Sequence, residues 1–254
     1  MEPILKIEHV CKSFGGLKAV NDISLEIKKG SIVSLIGPNG AGKTTLFNII
    51  TGFYHADSGD ICFDGIRTND LKIHEYVKIG MARTFQNVRV FKELTVLENV
   101  IAGFQGVSAA SAWSILFHTK KKRHMEQEME EKAGELLEEF GFGGYAEHKC
   151  KNLPYGIQKK LEIIRALACD PKLLLLDEPA AGLNSQESAE LRGYISCLQD
   201  RGHTIVLIEH DMKLVMDISD YVYVMDYGML LTQGTPEEVR TNPKVIEVYM
   251  GKRR

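Results

Sequence analysis

The feature that most constrains this chain is a run of four leucines, residues 173–176, followed directly by Asp177 and Glu178. Four consecutive large apolar side chains need cover on both faces, which favours a buried strand of a parallel sheet. In open α/β sheets, ligands bind in the crevice at the carboxyl ends of the strands. The run therefore predicts an α/β fold that delivers two carboxylates to a ligand site.

Composition excludes several classes of protein. The 254 residues are 44% hydrophobic and 26% charged, as in ordinary globular proteins and unlike disordered or fibrous chains. A net charge of -3 argues against a non-specific nucleic-acid binder, which carries a basic excess. The five cysteines are odd in number and form no CxxC pair, which indicates free thiols in a reducing cytosol. Because no signal peptide or membrane span is recognisable, we expect any membrane role to act through a partner.

The N-terminal half predicts strands before helices. Alternation of apolar and polar residues at 4–10 and 23–27, with two glycines between them, predicts an antiparallel strand-turn-strand opening. A strand at 31–36 then leads through a glycine-rich turn into a helix at 43–50. Turn residues on both sides of residues 60–63 predict a hairpin strand, and residues 72–140 have a mainly helical pattern.

The C-terminal half alternates helices with strands, which implies a parallel sheet. The elements expected beyond the helix that opens at Leu153 are a strand at 172–176, a helix at 186–199, a strand at 204–208 and a helix at 212–218. A hairpin over residues 221–232 follows. Thr235, Pro236 and Glu238 then predict a capped terminal helix.

Residues 37–44 match the phosphate-binding pattern GxxxxGK[ST], in the strand-loop-helix context that makes the pattern specific. Glycines allow backbone N–H groups to surround phosphates, Lys43 supplies a positive charge to the β and γ oxygens, and the Thr44 hydroxyl can bind Mg²⁺. The alternative is a tight turn with a purely structural role.

Since Asp177 and Glu178 follow a buried strand, we expect Asp177 to hold Mg²⁺ and Glu178 to orient or deprotonate water. The alternative for these carboxylates is capping of the next helix.

A second turn suited to anions opens the helix after residue 152. Backbone N–H groups at a helix N-terminus bind anions, and this turn contains a glycine. Two phosphate-binding turns for one nucleotide predict that two copies of such a chain pair. The residues of this turn are Leu153, Pro154, Tyr155, Gly156, Ile157 and Gln158.

The order and spacing of these motifs, together with Gln86, His210 and residues 181–184, resemble the ATP-binding cassette (ABC) family over nearly the whole chain. Within that family, the stretches 83–91, 155–156, 179–184 and 209–216 resemble the LivG-type subunits of branched-chain amino-acid importers. The resemblance implies an α/β P-loop NTPase of ABC type, whose mixed or parallel core sheet carries an N-terminal antiparallel β subdomain and a helical subdomain. It further implies one domain, 1–254, with a core at 1–82 and 169–254 and a helical signature subdomain at about 83–168.

The resemblance also assigns roles to residues. Two cassettes dock head to tail, so that each signature turn closes on ATP held by the partner. Gln86 then senses Mg²⁺ and the γ-phosphate and communicates with the membrane subunit, while His210 contacts the γ-phosphate and acts with Glu178 in catalysis. The implied ATP-binding residues are Phe14, which stacks on adenine, and Gly37, Pro38, Asn39, Gly40, Ala41, Gly42, Lys43, Thr44 and Thr45. The implied Mg²⁺ ligands are Thr44, Gln86 and Asp177, and the implied dimer loop is Ala181, Gly182, Leu183 and Asn184.

The chain departs from the family pattern in two motifs. The common signature reads Ser-Gly-Gly where this chain has Pro154, Tyr155 and Gly156, and proline has neither a hydroxyl nor an N–H to offer a phosphate. Asn184 stands where the family commonly has aspartate, so it cannot be an anionic partner across the dimer. Related LivG-type subunits depart at the same places, which indicates specialisation of this subgroup.

The resulting prediction is an ATP-hydrolysing subunit of an importer, most simply for branched-chain amino acids, at the cytoplasmic face of the cell membrane. Its expected partners are a second cassette, identical or paralogous, integral membrane permease subunits and, indirectly, a solute-binding protein, but no nucleic acid. Either a groove for a permease helix or a subdomain core is expected from four apolar residues, Phe91, Leu94, Val96 and Leu97. The alternatives are an importer of another small polar solute such as urea, a soluble cassette ATPase without a transport role, and a nucleotide-dependent scaffold without turnover.

Overall fold

The computed structural model describes residues 2–105 and 120–250. The chain forms two compact units. The first contains residues 1–86 and 172–254, and the second contains residues 87–171. The predicted organisation as one domain with an inserted helical subdomain stays a prediction.

Within the described residues, the first unit contains ten strands. They are β1 (Pro3–Phe14), β2 (Leu17–Lys28), β3 (Ile32–Ile36), β4 (Ser58–Phe63), β5 (Ile66–Arg67), β6 (Met81–Arg83), β7 (Leu173–Asp177), β8 (Thr204–Ile208), β9 (Tyr221–Asp226) and β10 (Met229–Gly234). The described α-helices, in chain order over both units, are α1 (Lys43–Ile50), α2 (Ile73–Lys78), α3 (Val96–Gln105), α4 (Lys120–Glu139), α5 (Tyr155–Leu167), α6 (Ser185–Asp200), α7 (Met212–Ile218), α8 (Pro236–Thr241) and α9 (Pro243–Met250).

The main sheet has six strands in the order β10-β9-β3-β8-β7-β6. All its neighbouring pairs are parallel except β9 and β10, which form the closing hairpin. All four leucines of β7 are fully buried, because strands flank β7 on both sides and apolar side chains cover both faces of the sheet. The predicted α/β fold with a buried leucine strand is confirmed.

A second sheet is antiparallel, with strand order β2-β1-β4-β5. Its first two strands are twelve residues each, longer than the alternating segments that predicted them. The register between β1 and β2 shifts between Ile7 and Val10, and His9 has a positive φ of 52°. Such a bulge inserts an extra residue and disturbs the alternation. For that reason the period-two pattern ends before the strand does.

The predicted helical pattern of residues 72–140 is wrong at β6. Met81, Ala82 and Arg83 pair in parallel with Leu173, Leu174 and Leu175 and form the edge strand of the main sheet. Three residues are too few to show a period, so no local signal separates them from a helix. The strand forms because it satisfies backbone groups on the outer side of β7, which is a tertiary requirement.

The second unit is helical where it is described, with α3, α4 and α5 as its main elements. Its apolar core includes fully buried Val100 of α3, Leu137 of α4 and Leu161 of α5. Buried Asn99 donates to the backbone oxygen of Phe91 at 3.0 Å and accepts from the backbone N–H of Phe91 at 2.8 Å. In the ranges 2–105 and 120–250, no helix has both the length and the apolar character of a membrane span.

Candidate functional site

The loop between β3 and α1 has a backbone conformation that requires glycine. Gly37, Gly40 and Gly42 all have positive φ. A Cβ on Gly37 would lie 2.1 Å from the backbone oxygen of Met225, and one on Gly42 would lie 2.2 Å from that of Ala19. Any side chain at these two positions would therefore displace backbone, which explains why the phosphate-loop pattern needs glycine here.

Lys43 begins α1, and its ammonium lies against the loop. Its Nζ donates hydrogen bonds to the backbone oxygens of Gly37 at 2.7 Å and Pro38 at 2.9 Å. Burial lowers the pKa of Lys43, while the nearby carboxylates of Glu178 and Asp177 oppose that change. Thr44 is exposed on the next position of the helix and Thr45 is half-buried. A cation and a helix N-terminus thus meet at one loop, which is the arrangement that binds phosphate.

Glu178 follows directly after β7 and has an unusual backbone conformation. Its φ is +47°, in the left-handed region, which costs a non-glycine residue about 1–3 kcal/mol. Its N–H donates to the backbone oxygen of Ile208 at 3.0 Å, and its own backbone oxygen accepts from Ala181 at 3.1 Å. These bonds hold the strained residue in place. Strain of this kind collects at functional sites, so the turn is a candidate for chemistry.

Gln86, Glu178 and His210 come together in the structure. The Gln86 side-chain amide donates to Oε2 of Glu178 at 2.8 Å, and Nδ1 of His210 lies 3.8 Å from the same oxygen. The carboxyl ends of the neighbouring strands β7 and β8 place Glu178 and His210 on one edge of the sheet. Two side chains that are distant in sequence, Gln86 and His210, therefore converge on one carboxylate oxygen of Glu178.

Glu209 is a functional candidate that the sequence reasoning missed. Its fully buried carboxylate accepts hydrogen bonds from the backbone N–H of Ala180 at 2.8 Å and of His210 at 3.1 Å. Burial raises the pKa of Glu209, although these N–H donors act in the opposite direction. The side chain ties the turn after Glu178 to the turn that carries His210. An acidic residue directly after an apolar strand was the available signal.

Arg83 is the second residue that was missed. Its guanidinium forms an ion pair with Asp177, with a distance of 2.7 Å between Nη2 and Oδ2. In the sequence, Arg83 belongs only to a stretch that carries the family resemblance, because the short strand β6 on which it lies has no recognisable pattern.

Phe14 lies at the end of β1, near the turn into β2, and its ring is 44% exposed. It meets Tyr54 edge to face, with ring centroids 5.3 Å apart. An exposed aromatic ring can stack on a nucleobase, a contact of about 1–3 kcal/mol in single-stranded nucleic-acid binding. Tyr54, which belongs to no motif in the sequence, supports the Phe14 ring from the side.

The signature turn lies in the second unit at the start of α5. Pro154 is the residue before the helix, and its backbone oxygen accepts from the N–H groups of Ile157 and Gln158. The Gln158 side chain donates to the backbone oxygen of Leu153 at 2.9 Å. Pro154 and Tyr155 are exposed, whereas Gly156 is buried. The proline fits an N-terminal position, but its side chain has no group that can cap the helix.

The loop of residues 181–184 ends in a helix cap. Asn184 Oδ1 accepts from the N–H groups of Gln186 and Glu187, both at 2.9 Å, and the Glu187 side chain accepts from the N–H of Asn184. This reciprocal pair is a capping box. Upstream, Ala181 and Leu183 N–H groups close two successive turns, and Gly182 has a φ of +81°. Asn184 therefore has a structural role that sequence reasoning did not assign.

We expect Asn184→Ala to lower the free energy of unfolding by about 1 kcal/mol, because the first-turn N–H groups of α6 lose their acceptor. Asn184→Asp is the matched control, since aspartate caps as well as asparagine. Urea denaturation of the three proteins measures the difference. Equal stability of the alanine and aspartate variants would contradict a capping role.

The four apolar residues near the start of α3 do not share one environment. Val96 is fully buried and belongs to the core of the second unit, so it does not line a groove. Phe91 and Leu94 are 53% and 36% exposed, and Leu97 is half-buried. The Arg165 guanidinium lies 5.5 Å from the centre of the Phe91 ring. The exposed apolar surface thus reduces to Phe91 and Leu94.

The residues present fit a magnesium nucleotide. No group of three or more His, Cys, Asp or Glu within the described part of the chain is arranged to hold a metal on its own. Mg²⁺ in nucleotide enzymes needs no such group, because one or two protein carboxylates, phosphates and waters complete its shell. The nearly buried carboxylate of Asp177 and the exposed Thr44 hydroxyl are ligands of the required kind.

Two family models match the chain. The model described as ABC transporter matches residues 20–181, and the model described as branched-chain amino acid ATP-binding cassette transporter matches residues 230–254. The chain is 45% identical to the high-affinity branched-chain amino acid transport ATP-binding protein LivG of Salmonella typhimurium over 251 residues, 98% of each chain. It is also 45% identical to BraF of Pseudomonas aeruginosa, over 98% of each chain.

Solved structures agree with the fold. The ADP conformation of MJ1267, an ATP-binding cassette of an ABC transporter, is 36% identical, with a TM-score of 0.87 over 99% of this chain and 100% of that one. The dimeric post-hydrolysis cassette MJ0796, bound to ADP and Pi, is 27% identical, with a TM-score of 0.75 over 91% of this chain and 98% of that one. Both the first unit and the second are thus covered by similar proteins.

Proposed function

Because this chain belongs to the ABC transporter family, we propose that it is the ATP-hydrolysing subunit of an importer for branched-chain amino acids. The observation that carries the proposal is its similarity along 98% of the chain to LivG and BraF, both named for branched-chain amino-acid transport. The C-terminal match to the model of branched-chain amino-acid cassettes supports the same substrate class.

In this proposal the loop from Gly37 to Thr45 holds the phosphates of ATP. The backbone N–H groups of the loop and the Lys43 ammonium meet the negative charge, and Phe14 stacks on the adenine. Asp177, Thr44 and Gln86 hold Mg²⁺, which neutralises phosphate charge when bound. The hydrogen bonds from the Lys43 ammonium to the backbone oxygens of Gly37 and Pro38 hold it in the loop.

Glu178 is the residue that orients the attacking water and accepts its proton. The left-handed conformation at Glu178 and the bonds to Ile208 and Ala181 fix its backbone. His210 contacts the γ-phosphate from the adjacent turn. The Gln86 Nε2–H donates to Glu178 in this structure, and Oε1 of the same amide is the atom that would bind Mg²⁺.

Two cassettes bind ATP head to tail in the active form. The turn from Leu153 to Gln158 of one copy and the loop from Ala181 to Asn184 contact the nucleotide or the loop of the other. The dimeric cassette MJ0796, bound to ADP and Pi, supports such pairing. Exposed Pro154 and Tyr155 are accessible to a partner, but proline supplies fewer donors than the serine of the common signature.

The permease subunits bind at the cytoplasmic face of the membrane. Phe91 and Leu94 offer an exposed apolar surface that a permease helix can cover. In this proposal, the contact with the permease is what places the cassette at the membrane.

Purification of the native complex through an affinity tag on this chain tests the proposal. We expect permease subunits to copurify, and ATP hydrolysis by the reconstituted complex to rise when a solute-binding protein loaded with leucine is added. A complex stimulated by urea but not by leucine would assign another solute. Absence of any permease from an ATP-hydrolysing preparation would overturn the transport role.

A further inference from the structure

Arg83 and Asp177 form an ion pair that is almost completely removed from solvent. The Arg83 Nη2 donates to Asp177 Oδ2 at 2.7 Å, and the two side chains are only 8% and 7% exposed. The bond uses one carboxylate oxygen and one nitrogen of the guanidinium, so it is not the bidentate pair that saturates both partners. The ion pair therefore leaves Oδ1 of Asp177 outside the bond with Arg83.

The other terminal nitrogen of Arg83 is anchored on α1 and on Thr51, the residue that follows it. Nη1 donates to Asn48 Oδ1 at 2.7 Å and to Thr51 Oγ1 at 3.0 Å. The Thr51 hydroxyl itself donates to the backbone oxygen of Phe47 at 2.7 Å, so its lone pair is directed to accept from arginine. One rigid guanidinium thus connects the helix after the phosphate loop to the carboxylate at the end of β7.

Aromatic rings surround the same guanidinium. The rings of Phe47, Phe53 and Phe85 have their centres 5.4, 5.4 and 5.2 Å from Arg83 Cζ. Cations are attracted to aromatic faces at this distance, and a planar guanidinium fits between rings better than an ammonium does. The rings and the α1 anchor restrict the movement of Arg83.

We propose that Arg83 is a positioning residue for the cation site: it holds Oδ2 of Asp177 so that Oδ1 is presented to the divalent cation that accompanies the nucleotide. The inference rests on the proposed function, because it needs a Mg²⁺-nucleotide substrate. A simple charge-neutralising pair would need neither the α1 anchor nor the aromatic rings. Outer-shell partners of this kind orient metal ligands, and their loss weakens metal affinity.

Arg83→Lys tests the proposal, because lysine keeps the charge but has a single nitrogen, which cannot replace the two guanidinium nitrogens that reach Asp177 and α1. The probe is a fluorescent ADP analogue, titrated first without divalent cation and then with increasing MgCl₂. For Arg83→Lys, we expect a rise of about 10- to 100-fold in the Mg²⁺ midpoint, which is the Mg²⁺ concentration that gives half of the maximal change in binding of the analogue. Affinity for the analogue without Mg²⁺ should be unchanged. Thr51→Val, which removes one anchor and keeps the ion pair, should shift the same midpoint by less.

Arg67→Lys is the matched control. Arg67 also pairs with carboxylates, those of Asp60 and Asp70, but it is exposed and lies outside the site. We expect this control to have the wild-type Mg²⁺ midpoint. A wild-type midpoint in folded Arg83→Lys would overturn the inference, and so would an equal loss of nucleotide affinity with and without Mg²⁺. Failure of the wild-type protein to bind the nucleotide at all would instead overturn the proposed function.

Discussion

Replacing Glu178 by glutamine is expected to lower ATP turnover by about 10²- to 10⁴-fold, the usual contribution of general-base assistance. Glutamine has the same shape but cannot accept the proton of the attacking water. The backbone bonds to Ile208 and Ala181 do not involve the side chain, so the turn should persist. Steady-state phosphate release from wild type and variant measures the loss.

The same variant should accumulate as an ATP-bound dimer, because closure is retained while hydrolysis, which reopens the dimer, is blocked. Size-exclusion chromatography with ATP and Mg²⁺ measures this. Glu237→Gln is the control, since Glu237 is an exposed glutamate that pairs with Arg240 away from the site. Turnover near the wild-type rate in Glu178→Gln would remove Glu178 from the catalytic role. A monomer at high concentration would contradict closure.

Gly42→Ala is expected to abolish nucleotide binding and to lower thermal stability. At a φ of +96° an L-residue is strained, and the new Cβ would lie 2.2 Å from the backbone oxygen of Ala19. Left-handed conformations cost about 1–2 kcal/mol for an L-residue. The overlap with Ala19 adds to this cost, because the backbone of β2 must move or the loop must open. An opened loop would no longer hold Lys43 beside the phosphates.

The variant Gly40→Ala separates the steric overlap with Ala19 from the backbone strain of a positive φ. Gly40 also has a positive φ, of 82°, but a Cβ there would meet no atom within 4 Å. We expect this variant to remain folded, with a smaller fall in melting temperature than Gly42→Ala. Equilibrium binding of a fluorescent ATP analogue and thermal melting measure both effects. Equal behaviour of the two variants would show that contact with Ala19 has no part in maintaining the loop.

Much of the fold follows from local patterns. The leucine run specifies β7 because no other element buries four consecutive large side chains so readily. The start of α8 is specified by three residues. Thr235 and Glu238 form a capping box, and Pro236 occupies the first helical position, where proline is favoured. Helices α1 and α7 begin and end at the residues expected from the sequence. In each case the residues of the element itself are sufficient to specify its type and where it begins.

Other features have no local signal. The strand β6 is three residues long and exists only because β7 needs a neighbour. Arg83 is an ordinary arginine in sequence, and its burial against Asp177 depends on that strand and on α1. The sequence marks Asn184 only as a departure from the family pattern, and the structure adds that its side chain caps α6.

By itself, then, the sequence determined the order of most strands and helices, the phosphate loop and the two carboxylates after β7, because these depend on side-chain periodicity and on residues with restricted chemistry. Only the tertiary structure decided that Gln86 and His210 meet at one oxygen of Glu178, and that Arg83 holds Asp177. Those contacts join residues as many as 94 positions apart, as for Arg83 and Asp177. Their geometry depends on the strand order of the parallel sheet, which no local pattern encodes.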